Sequence, residues 1–102
     1  MRLPLLAAAF ALVAGTPVLA ADAQNGLIIA KRWCAECHVV APDQKTARAD
    51  APSFADIASR RLPASGDSLQ KFLMNPHPKM PDMQIARREA DDLVAYIATL
   101  KK

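Results

Sequence analysis

The residues able to do chemistry are concentrated between Trp33 and Val40, in the stretch WCAECHVV. Cys34 and Cys37 stand three apart, and His38 follows the second cysteine directly. Three chemistries use thiols at this spacing. A redox dithiol of the thioredoxin-like kind sits in a βαβ unit. A zinc ion takes four ligands, nominally Cys34, Cys37, His38 and His77, although usual zinc spacings separate a histidine from the neighbouring cysteine ligand. Covalent haem attachment uses the run C-x-x-C-H itself. Cys34 and Cys37 then each take a haem vinyl group as a thioether. On a helical turn His38, four residues after Cys34, lies on the same face with its imidazole directed at the iron.

The elements that must position these residues are helical. Asp22 is a cap for a first helix through Gln24 to about Trp33, in which Leu27, Ala30 and Cys34 recur at helical spacing. Gly26 lies inside it, where glycine costs about 1 kcal/mol relative to alanine. A glycine kept there implies the close approach of another backbone or ring. A last helix is expected from Arg87 to Leu100, with Ala90, Leu93, Val94, Ile97 and Ala98 on one face. Glu89, Asp91 and Asp92 suit its N-terminal half, and Lys101 and Lys102 its C-terminal end. Between these helices stand Pro42, Pro52, Pro63, Pro76, Pro78 and Pro81, leaving room for short helices over 54–61 and 68–75. No segment sustains a two-residue alternation, so no strand is expected. An all-α chain gives a thioredoxin-like dithiol no setting, and the balance falls to haem.

Residues 1–20, MRLPLLAAAFALVAGTPVLA, read as a secretory signal. One early charge, Arg2, precedes an apolar run to Ala14, breakers follow at Gly15 and Pro17, and small residues end it. The run falls short of the roughly 20 apolar residues that span a bilayer. Cleavage is expected after Ala20 or one residue later, leaving residues 21–102 as one domain with no membrane insertion. That domain is small for a core alone to hold, and a large apolar cofactor would supplement it. A disulfide between Cys34 and Cys37 would close too small a loop to constrain the unfolded chain. The formal charge of the whole chain is only +3, and Arg2 in the leader contributes one of those charges. With no interleaving of basic and aromatic residues, nucleic acid is not an expected partner.

With these residues in view, the chain resembles the class I cytochromes c, in particular short bacterial single-haem proteins. The resemblance covers essentially all of residues 21–102. It rests on C-x-x-C-H, on Gly26 eight residues before Cys34, and on Leu93 and Tyr96 in the last helix. It implies an all-α cytochrome c fold, three to four helices around one covalent haem c, with the terminal helices crossing so that Gly26 lies under Tyr96. It also implies that the carbonyl of Pro52, in the stretch APSF, accepts from the proximal histidine. Met-Pro before the last helix makes Met80 the match for the second axial ligand. Pro78 and Pro81 flank Met80 and restrict its loop. His77 is the competing donor, Met83 is nearer the last helix and reads as core filler, and Met74 reads as packing on a short helix. The start of the last helix, Gln84-Ile85-Ala86-Arg87, lacks the hydroxyl cap common in the family and is expected to fray.

The function implied is one-electron transfer in the periplasm, by a monomer that docks briefly with redox proteins. The basic residues Lys79, Lys31, Lys45 and Arg48 are candidates for the docking rim. With His38 and Met80 both on the iron no position is open, so the protein is not expected to be an enzyme. Two alternatives share the motif. One is an electron-accepting subunit of a larger dehydrogenase or oxidase. The other is a haem enzyme or gas sensor, which requires Met80 to leave the iron.

Overall fold

The computed structural model describes residues 20–48, 50–61, 66–76 and 79–102, with the isolated positions 2, 4 and 9. The expected leader, except at positions 2, 4, 9 and 20, lies outside the described residues, as do His77, Pro63 and Pro78. Four helices follow one another along the chain: α1 Ala23–Trp33, α2 Phe54–Arg61, α3 Gly66–Met74 and α4 Arg87–Ala98. No strand occurs among the described residues. None of the helices described is long and apolar enough to cross a membrane.

Local chemistry sets the helix ends. Asp22 has extended backbone, and its Oδ1 accepts from the Gln24 and Asn25 amides at 2.9 and 3.2 Å, so two of the four orphan donors of α1 are satisfied. The Ser53 hydroxyl accepts from the Asp56 amide at 3.1 Å and starts α2 in the same way. α3 begins two residues earlier than the spacing of the prolines suggests and ends at Met74. Pro76 explains the early stop, because it disfavours helical backbone at Asn75. α4 stops at Ala98 rather than Leu100, and Thr99 closes it with Oγ1 donating to the Tyr96 carbonyl at 2.6 Å.

α4 forms the spine of the fold: α1 crosses it, and α2 and α3 pack against it. Ala90, Leu93, Tyr96 and Ile97 of α4 meet Ile29 and Ala30 of α1 and Leu69 and Leu73 of α3 in one buried cluster. The crossing is close because Gly26 has no side chain. A Cβ there would lie 2.0 Å from the Asp92 carbonyl oxygen and 2.7 Å from Tyr96 Cβ, nearer than atoms pack. The expected placement of Gly26 beneath Tyr96 is what the fold contains.

Asp92 departs from its expected role. It is 5% exposed and turns away from its own helix start. Its Oδ1 accepts from the Asp22 amide at 2.7 Å and its Oδ2 from Asn25 Nδ2 at 2.8 Å, so it braces the beginning of α1. Glu89 takes the role at α4, where its Oε1 accepts from the Ala86 amide at 3.1 Å. Ala86 has no side-chain acceptor to complete a reciprocal cap. The missing hydroxyl is thus offset in part from within the helix.

Candidate functional site

The site grows from the end of α1. Cys34 closes that helix, its amide donating to the Ala30 carbonyl at 2.9 Å. The chain then turns over the motif, with the Cys37 and His38 amides donating to the Cys34 carbonyl at 3.2 and 2.9 Å. Cys34 is buried, Cys37 is half-buried, and no disulfide joins them. Burial, with the neighbouring Cys37 second, pushes the Cys34 thiol up to about 11. Dithiol catalysts work the other way, through a thiolate made available at neutral pH.

His38 is held on one side only. Its Nδ1 lies 2.6 Å from the Pro52 carbonyl oxygen. A carbonyl only accepts, so Nδ1 is the donor, and the neutral ring keeps its lone pair on Nε2 for a metal. The Pro52 loop is fastened to the motif by the Phe54 amide, which donates to the Val39 carbonyl at 2.9 Å. The Phe54 ring packs against His38 with centroids 5.4 Å apart, and Tyr96 lies behind it at 6.5 Å. The Tyr96 hydroxyl donates to the Val40 carbonyl at 2.5 Å, which ties α4 to the strand of loop leaving the motif.

One organising residue carries no signature in the sequence. Gln44 Oε1 accepts from the Val40 amide at 2.9 Å, while its Nε2 donates to the carbonyls of Ala35, His38 and Thr46 at 2.7, 2.9 and 3.1 Å. A glutamine in a polar loop reads as solvated, and nothing local distinguishes this one.

Of the methionines proposed as ligand or filler, Met80 is half-buried and packs against the core cluster. Met83 and Met74 are exposed, which corrects their reading as filler and packing. The buried face of α3 runs through Leu69, Gln70 and Leu73, leaving Met74 at its outer edge. Met83 precedes Gln84, whose φ of 52° turns the chain sharply, with the Gln84 amide held by Asp82 Oδ1 at 2.8 Å. All four basic candidates, Lys31, Lys45, Arg48 and Lys79, are exposed, and Arg48 pairs with Glu36.

The donor set fits a covalently attached haem. Two thiols occupy one turn, an imidazole presents one nitrogen, and a thioether stands in a proline-flanked loop. Trp33, 53% exposed beside Cys34, adds apolar surface at the attachment turn. Among the described residues no three His, Cys, Asp or Glu side chains converge as a metal cluster, and His77, the fourth nominal zinc ligand, lies outside them.

Comparison with known proteins gives the same direction. Over 83 residues the chain is 55% identical to cytochrome c-552 of Bradyrhizobium diazoefficiens, a match covering 81% of this chain and 79% of that protein. No protein-family model matches the chain. No solved structure matches it.

Proposed function

Because the chain belongs to the class I monohaem c-type cytochromes, we propose that it is a periplasmic one-electron carrier with a single haem c bound through Cys34 and Cys37. His38 and Met80 would ligate its iron in this reading. The observation that carries it is the 2.6 Å contact of His38 Nδ1 with the Pro52 carbonyl, which leaves Nε2 as the coordinating atom directly after the two thiols.

The haem, when bound, supplies the exchange of one electron between ferrous and ferric iron. The chain supplies position and environment. Cys34 and Cys37 anchor the group to the end of α1. Pro52 holds the imidazole in one orientation and strengthens its donation. Met80, set in a loop stiffened by Pro81, offers a thioether with little conformational freedom. A histidine–methionine pair favours a higher reduction potential than two histidines. With His38 and Met80 both holding the iron, binding of a gas or peroxide would be disfavoured. Residues 1–20 direct export, and Lys31, Lys45 and Lys79 provide the charged rim for brief docking.

The test is spectroscopic. After acid–acetone extraction of the purified protein, the haem should remain with the polypeptide. The ferric protein should show the weak far-red band of a sulfur–iron bond. Haem released into the acetone would sink covalent attachment, and absence of the band would sink Met80.

A further inference from the structure

The beginning of α1 contains a contact that electron transfer does not use. Asp92 is a carboxylate at 5% exposure, and its two described partners, the Asp22 amide and Asn25 Nδ2, are neutral. The ion pairs of the described residues lie elsewhere, between Arg48 and Glu36 and between Arg60 and Asp56. A carboxylate withdrawn from water is costly unless a charge or several hydrogen bonds compensate it. The amide end of α1 contributes partial positive charge, about half an elementary charge at most. A full charge at the same position would complete the compensation.

Export processing makes such a charge. Cleavage after Ala20 or after Ala21 leaves an α-ammonium group on Ala21 or on Asp22. In the second case the new ammonium is the atom already 2.7 Å from Asp92 Oδ1. In the first it is one residue away, and consecutive Cα atoms are only about 3.8 Å apart. α4 reaches this point because Gly26 admits the Asp92 backbone against the first turns of α1.

We propose that Asp92 is the counter-ion site for the α-ammonium group of the mature chain, so that the α1–α4 crossing gains an ionic contact only when the leader is removed. The proposal rests on the reading of residues 1–20 as a cleaved leader.

The test uses the exported, haem-loaded protein. Its intact mass fixes the N-terminus. A variant with Gly-Ser-Gly-Ser inserted between Ala21 and Asp22 keeps the Asp22 amide but moves the ammonium away. Its unfolding equilibrium constant should rise about tenfold, the difference between a charged and a neutral hydrogen bond. In an Asp92→Asn background the same insertion should change nothing. Should that background fail to fold, α-amine acetylation relative to the lysines decides. It should be slower in the unextended protein than in the extended one. A mass that retains residues 1–20 would overturn the processing reading and the anchor together. Correct cleavage with stability and acetylation both indifferent to the insertion would overturn the anchor alone.

Discussion

Met80 and Tyr96 each act through one atom, and each yields a separate expectation. Met80→Ala should retain its covalent haem, because the thioethers and His38 are untouched, but the reduced protein should bind carbon monoxide at neutral pH. The parent should not bind it, and His77→Ala should behave like the parent; a carbon monoxide spectrum of each protein checks this. If His77→Ala opens the iron instead, the ligand assignment moves to His77. Tyr96 donates to the Val40 carbonyl, and burial first, then Asp43, raises its phenol above the usual value of 10. The folded chain therefore keeps a proton that the unfolded chain releases as pH rises past 10, so this group lowers stability from there upward. Tyr96→Phe should cost about 1 kcal/mol at pH 7 and flatten the alkaline decline, as denaturant titrations at neutral and alkaline pH will measure.

The crossing of α1 on α4 turns one residue type into two opposite outcomes. Gly26→Ala sets a methyl group 2.0 Å from a backbone oxygen, which no rotamer change relieves, so the helices must part. We expect a loss of 3 kcal/mol or more, roughly the upper range for overpacking, or failure to accumulate folded protein. At Gly66, in the first turn of α3, a Cβ meets, among the described residues, only Val94 Cγ1 at 3.4 Å. Gly66→Ala should leave stability unchanged or raise it by up to about 1 kcal/mol through lower entropy of the unfolded chain. Parallel thermal or urea unfolding of the two variants checks the contrast. Periodicity made α1 and α4 legible and the spacing of the prolines α2 and α3, within about two residues at their ends. The misplaced C-terminal ends fall where Pro76 and the Thr99 hydroxyl intervene, and both act on the last turn rather than on the repeat.

A domain of this size has a modest core, and its attached cofactor is expected to be a major part of what holds it together. Replacing both Cys34 and Cys37 with alanine should abolish haem retention and most of the helical far-ultraviolet signal of the exported chain. A haem-free variant with native helicity would show that the α1–α4 crossing suffices alone. Function at this level depends on docking. If the basic rim operates, electron-transfer rates with an acidic partner should fall as ionic strength rises, whereas Lys45→Glu should weaken that dependence.

Much of the site was legible because the relevant distances along the chain are short. Cys34, Cys37 and His38 fall within one turn, and Asp22 caps amides two and three residues ahead. Such geometry follows from helical spacing, whatever the rest of the chain does. Gly26 was visible for a different reason: a residue that weakens its own helix must be repaid by something outside it. Pro52 was reached through family resemblance, not through spacing. The direction of the Asp92 carboxylate and the four hydrogen bonds of Gln44 were not legible. Asp92 meets Asp22 across 70 residues, and Tyr96 meets Val40 across 56. Contacts of that kind exist only after the helices have crossed, because the rotation of α4 about its axis chooses which carboxylate faces the first turn of α1.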